Sequence, residues 1–120
     1  MSKFLIRSVP SGVKFDLTAG NGQVIATSEV YDTHAACIKG IGSVRKNAET
    51  QKVEDQTIAD HITLTNPKFE LYQDKAGQFR FRLTARNGKT IAASEGYTTK
   101  AACENGIASV QKNAPEAEVE

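Results

Sequence analysis

Apolar and polar residues alternate strictly through Phe79-Arg-Phe-Arg-Leu-Thr-Ala85. Phe79, Phe81, Leu83 and Ala85 fall on one side, and Arg80, Arg82 and Thr84 on the other, the period expected of a half-buried strand. Phe69-Glu-Leu-Tyr72 alternates in the same way and predicts a preceding strand, joined through the turn Asp74-Lys-Ala-Gly77. Asn87-Gly88 turns the chain into a third strand near Lys89 to Ser94. The period then lengthens. Cys103, Gly106, Ile107, Val110 and Ala114 share one face of a helix, with Thr99 as its N-cap and Pro115 stopping it.

Two hairpin registers compete between the second and third strands. A two-residue loop pairs Arg86 with Lys89 and turns Thr90, Ala92 and Ser94 inward. A three-residue loop with a Gly88 bulge pairs Ala85 with Lys89, placing Ile91 beside Leu83 and Ala93 beside Phe81. A one-residue slip exchanges the two faces, and burying Ile91 gains more than burying Ser94, so the three-residue loop is expected.

The whole pattern occurs twice. Ile25-Ala-Thr-Ser-Glu-Val-Tyr-Asp-Thr-His-Ala-Ala-Cys37 returns 66 positions later as Ile91-Ala-Ala-Ser-Glu-Gly-Tyr-Thr-Thr-Lys-Ala-Ala-Cys103. Asn21-Gly22 matches Asn87-Gly88, and Lys46-Asn47-Ala48 matches Lys112-Asn113-Ala114. The first copy therefore predicts strands at Phe4–Arg7 and Val13–Leu17, a register in which Leu17 meets Ile25, and a helix capped by Thr33. Its helical face carries Cys37, Gly40, Ile41, Val44 and Ala48. A helical glycine costs roughly 1 kcal/mol against alanine, so the repeated Gly40 and Gly106 predict a close approach to the sheet. The stretch from Thr50 to Asn66 has weak periodicity. Short strands are open at Val53 and at Ala117–Val119, and the packing of Ile58, Ile62 and Leu64 is undecided.

At 120 residues, two copies are short for separate domains, so a shared core is expected. The expected organisation is residues 1–56 as the first repeat, 57–67 as a linker and 68–120 as the second repeat, together one compact folding unit. Cys37 and Cys103 occupy matching core positions and read as reduced thiols. No apolar run approaches a membrane span and no signal sequence is recognisable at the N-terminus, so a cytoplasmic location is expected.

The net charge of +1 conceals segregation. The first copy, Lys3 to Ala48, carries +3 and the second, Lys68 to Ala114, carries +4. The connector, with Glu49, Glu54, Asp55 and Asp60 against Lys52, carries −3, and the tail, with Glu116, Glu118 and Glu120, also −3. Acidic segments that lie against the basic repeats would account for this alternation.

The pattern Phe-Arg-Phe-Arg-Leu-x-Ala-x-Asn-Gly, then Ile-Ala-x-Ser-Glu-x-Tyr-x-Thr-x-Ala-Ala-Cys, then Gly-Ile-x-Ser-Val-x-Lys-Asn-Ala, resembles the YegP-like family of small bacterial proteins of unknown function. The resemblance covers Lys3–Ala48 and Lys68–Ala114. The first copy departs from it at a shortened hairpin, at Asp16 where the second has Arg82, and at Val30 where it has Gly96. The resemblance implies an α+β fold of tandem β-β-β-α-β repeats, arranged as a pseudo-two-fold unit. One antiparallel sheet would pack against two helices, and the repeats would exchange their last strands, near Gln51–Asp55 and Ala117–Val119. It implies no activity, cofactor or catalytic residue.

Candidate chemistry is sparse. Ser28-Glu29-x-Tyr31 and Ser94-Glu95-x-Tyr97 sit at a strand end leading into a helix, where a glutamate can favour the helix N-terminus. His34 and His61 do not recur and lack a ligand pattern, so no metal is expected, and no cofactor motif is present. The most suggestive surface is Arg80, Arg82 and Arg86 with Tyr72 on the same face. Arginines beside an aromatic can bind phosphates and stack bases, although Glu70 is placed to pair with Arg80 or Arg82. The corresponding positions of the first copy offer only Lys14, Asp16 and Thr18. The expectation is a non-catalytic cytosolic protein, monomeric with an internal pseudo-dimer, that meets a protein partner through a sheet face or strand edge. Weak nucleic-acid binding through the basic face of the second repeat is the alternative.

Overall fold

The computed structural model describes residues 1–120. Ten elements follow in order: β1 Lys3–Val9, β2 Gly12–Thr18, β3 Val24–Thr27, α1 His34–Asn47, β4 Val53–Asp55, β5 Lys68–Gln73, β6 Phe79–Thr84, β7 Thr90–Ala93, α2 Lys100–Asn113 and β8 Glu118–Val119. All eight strands join one sheet in the order β4-β5-β6-β7-β3-β2-β1-β8. The two repeats meet at its centre, where Thr27 of β3 pairs with Ala93 of β7. The strand that follows each helix pairs with the other repeat: β4 with β5, and β8 with β1. No helix is long and apolar enough to cross a membrane.

The sheet is not wholly antiparallel, contrary to the expectation: both edge pairs, β4·β5 and β1·β8, are parallel. Consecutive parallel strands need a connection that carries the chain back along the strand, about a dozen residues. Gln56–Pro67, between β4 and β5, has that length. Its weak periodicity hid this role in the sequence.

Both central hairpins use the three-residue loop. The amide of Ala85 donates to the Lys89 carbonyl at 2.9 Å, and Ala19 donates likewise to Gln23. Gly88 and Gly22 each take φ of 85°, the left-handed conformation that this loop requires. Beyond the loop the register differs from expectation. A further bulge leaves Ile91 as the extra residue, so Leu83 pairs with Ala92 and Arg82 with Ala93; Leu17 likewise pairs with Ala26 rather than Ile25. The bulge buries Ile91 and Ala92 together. Ser94 is buried as well, because its hydroxyl accepts from the Phe81 amide at 2.9 Å and donates to the Glu95 carbonyl at 2.8 Å.

One face of the sheet carries Phe4, Phe15, Leu17, Phe69, Leu71, Phe81 and Leu83 into the core with Cys37, Ile41, Val44, Cys103, Ile107 and Val110 of the helices. Each helix crosses both repeats: α1 packs on β2 and reaches β6 and β7, and α2 packs on β6 and β5 and reaches β3. Thr33 and Thr99 cap the helices, each hydroxyl accepting from the amide three residues on at 3.1 Å. Gly40 and Gly106 are approached by a tyrosine ring rather than by sheet backbone. A methyl on Gly106 would stand 2.5 Å from Tyr97 Oη and 2.9 Å from Phe81, and Gly40 lies against Tyr31 in the same manner. These tyrosines stack on Phe81 and Phe15 respectively.

Candidate functional site

The helices cover one face of the sheet and leave the charged positions of β5 and β6 on the other. Strand register sets Tyr72 opposite Arg80, and Glu70 opposite Arg82. Arg82 uses both its direct and its diagonal neighbour. Arg82 lies over the Tyr72 ring at 4.4 Å, while its Nε donates to Glu70 Oε1 at 2.5 Å. Arg80 Nε donates to Asp74 Oδ2 at 2.7 Å, which ties the strand to the turn that precedes it. The Arg80 guanidinium holds the Asp74 carboxyl below its ordinary range, helped by the amides of Gln78 and Ala76. Of the two arginines open to Glu70, it thus takes Arg82, while Arg80 is taken by Asp74 of the turn, which the sequence pattern did not assign to either.

Arg86 is not part of this cluster. It lies beyond the end of β6, exposed, and lines a cleft with Lys39 and Lys46 of α1. The alternation that put Arg86 in line with Arg80 and Arg82 stops at the loop, where the backbone turns away from strand geometry. On the first-repeat half, Arg7 Nε donates to Asp16 Oδ2 at 2.8 Å, and Thr27 donates to Asp16 Oδ1 at 2.6 Å. A depression of about 150 Å³ at the seam between the repeats is lined by Arg7, Lys14, Asp16, Thr27 and Ala93, among others.

One ion-pair network was not anticipated. Lys68 Nζ lies 2.6 Å from Glu54 Oε1 and 3.2 Å from Glu70 Oε2. Burial alone would push the Glu54 carboxyl up, but the Lys68 ammonium, the Gln56 amide and the Leu64 N–H together pull it down to about 2. Lys68 is also held above its ordinary value, burial opposing and the two glutamates prevailing. Lys100 pairs with Asp55, so two residues of β4 bind bases of the second repeat. The acidic segments therefore do lie against basic repeats.

The Ser-Glu-x-Tyr segments do not bring their three side chains to one pocket: Ser28 and Glu29 line one shallow depression, and Glu95 and Tyr97 another. Ser28 and Ser94 are buried and satisfied by backbone, Glu29 and Glu95 are exposed, and the tyrosine hydroxyls face helical glycines. Neither glutamate bonds the helix start, which the threonine caps serve instead. Cys37 and Cys103 are free, fully buried thiols; burial, aided by the charges of Glu104 and Asp55, raises Cys103 to about 11, so little thiolate forms near neutrality. No group of three His, Cys, Asp or Glu side chains is placed to hold a metal ion. His34 is exposed at the helix start, and His61 Nδ1 lies 3.2 Å from the Ile58 carbonyl.

Comparison with known proteins agrees with the fold and the duplication. The family model "Domain of unknown function (DUF1508)" matches residues 12–55 and again 74–120. A UPF0339 protein of Bordetella pertussis is 38% identical over 112 residues, 93% of this chain and 87% of that protein. A UPF0339 protein of Treponema denticola is 60% identical over 52 residues, 43% of this chain but 90% of that protein, so most of it corresponds to a single stretch here. The solution NMR structure of the Escherichia coli protein of unknown function yegP superposes with a TM-score of 0.79 at 32% identity, covering 99% of this chain and 90% of that one. The repeated segments, the eight-stranded sheet with two helices and these relatives agree: the chain belongs to the DUF1508 family of UPF0339, YegP-like proteins, whose function is unknown.

Proposed function

We propose that the chain is a non-catalytic, monomeric cytoplasmic module, a pseudo-two-fold unit of residues 1–56 and 68–120 joined by 57–67, that docks a partner protein on its open sheet face. The observation that carries this reading is the mixed-sign pairing across that face. Arg82 is paired with Glu70, Arg80 with Asp74, and Arg7 with Asp16. A phosphate backbone would have to displace each carboxylate, whereas a protein surface can meet both signs and pack on the Tyr72–Arg82 stack. This weighs against nucleic-acid binding through the same face. The sheet edges are less suited to docking, because β4 has three residues and β8 two, both acidic.

The test is affinity capture with the intact chain and with Tyr72→Ala/Arg82→Ala, each quantified by mass spectrometry, beside titration of single-stranded RNA at two salt concentrations. A partner enriched by the wild type and lost with the variant supports the face. Identical captures, or RNA binding that falls steeply with salt and is lost in the variant, would overturn it.

A further inference from the structure

We infer that the cleft between α1 and the Ala85–Lys89 hairpin is an anion-binding groove that receives an acidic segment of a partner protein. The cleft is an open groove of about 660 Å³, with Lys39, Gly42, Ser43 and Lys46 on one wall and Arg86 and Asn87 on the other. Lys39, Lys46 and Arg86 are exposed and form no ion pair, whereas the arginines of the sheet face are all engaged. Three unpartnered cations lining one concave surface raise its potential for anions.

Two further observations point the same way. Gly42 sits in the middle of α1, exposed, and a methyl placed there would meet no atom within 4 Å. Packing does not require this glycine, which costs the helix roughly 1 kcal/mol, and the second repeat has Ala108 in its place. An unneeded glycine on a cleft wall leaves the backbone open to close approach by a ligand. The charge is also concentrated in one of the two equivalent clefts: the positions matching Lys39, Lys46 and Arg86 are Asn105, Lys112 and Gly20, one cation against three.

The lining decides the class of anion. It contains no aromatic side chain, so there is no platform on which bases of a single strand would stack. Ala85 and Pro67 are the nearest it has to apolar side chains, so nothing large and apolar is there to hold a nucleotide-like small molecule. Lys39 and Lys46, seven residues apart, are separated by about 10 Å along the helix. Carboxylates on alternate residues of an extended segment are spaced about 7 Å apart, within reach of two flexible lysine arms. Arg86 supplies a planar fork that suits a carboxylate.

The intact protein, isotope-labelled, is titrated with an oligoglutamate peptide at low and at physiological salt. The expected result is amide shifts concentrated at Gly42, Ser43, Arg86 and Asn87. Binding should weaken by roughly tenfold in Lys39→Gln/Lys46→Gln/Arg86→Gln, as loss of three exposed charge contacts implies. It should change little in Lys14→Gln/Lys75→Gln/Lys112→Gln, which removes equal charge outside the cleft. Gly42→Ala should weaken binding while raising thermal stability, an outcome that a misfolded variant cannot mimic. Equal weakening in both triple variants, shifts spread over the surface, unaltered binding in Gly42→Ala, or tighter binding of oligothymidylate than of oligoglutamate would each overturn the inference.

Discussion

Lys68 Nζ lies 2.6 Å from Glu54 Oε1 with only 7% and 3% of the two side chains exposed, and the equivalent pair of the other half, Lys3 and Glu120, has the same 2.6 Å separation with 41% and 51% exposed. The same contact, in which an exchanged strand meets the first strand of the opposite repeat, is thus dry in one half and wet in the other. The connector makes the difference: the Leu64 amide donates to Glu54 at 2.7 Å, and Asn66 accepts from Thr84 beside Lys68. Removing one partner of a buried pair leaves a charge uncompensated, whereas an exposed pair is replaced by water. Glu54→Gln should therefore destabilise by about 3 kcal/mol, toward the lower end because Glu70 remains beside Lys68. Glu120→Gln should leave the urea midpoint almost unchanged. Equal losses in the two variants would contradict the role given to the connector.

The same carboxylate sets an acid limb. The folded Glu54 titrates at about 2 against an ordinary value of 4.5. A depressed carboxylate contributes its full stabilisation above the ordinary value and loses it as pH falls toward the folded one. Wild type should lose stability progressively from about pH 4.5 toward pH 2, and Glu54→Gln should show a shallower slope there. Asp55, lowered through Lys100 and Thr57 against its own burial, contributes in the same direction and will keep the variant's slope from vanishing. Denaturant titrations across this range check it; parallel profiles for the two proteins would contradict it.

Two helical glycines should respond oppositely to alanine. A methyl at Gly106 meets Tyr97 and Phe81 inside the core, so Gly106→Ala should cost about 1–3 kcal/mol. Gly42 faces open space, so Gly42→Ala should stabilise by up to about 1 kcal/mol. Thermal melts of the two single variants compare these signs directly.

Ser28 and Ser94 are buried hydroxyls that occupy a place in the sheet ladder. Each accepts from the buried amide of Phe15 or Phe81 at 2.9 Å. Truncation strands that amide, so Ser94→Ala should cost about 1–3 kcal/mol, and Ser28→Ala a similar amount. Calorimetry that finds both variants as stable as wild type would mean that the amides find other partners.

Much of the architecture is legible where a residue's role is local. The alternation in Phe79–Ala85 identifies β6 and its inward face, and Thr33 and Thr99 mark the helix starts, because strand period and caps depend on neighbours in sequence. What escaped is set by distant chain. The second bulge that buries Ile91 with Ala92 depends on how β7 meets β6 and β3, and Ser94 is buried because a hydroxyl can stand in for backbone. The parallel edges follow from a connector with no periodic signal. Arg86 was grouped with Arg80 and Arg82 by carrying strand alternation through a turn, and Lys39 and Lys46, although one helical face apart from the core, gain meaning only when α1 is seen against the hairpin of the other repeat.

Exchange of β4 and β8, with each helix spanning both repeats, implies that neither half has a complete core alone. Native-state hydrogen exchange tests this most directly. The slowest amides of the first repeat, such as Phe15 and Leu17, and of the second, such as Phe81 and Leu83, should converge on one opening free energy equal to that of global unfolding. Two plateaus, one per repeat and separated by more than about 1 kcal/mol, would mean that the repeats unfold as independent domains and would contradict the single folding unit.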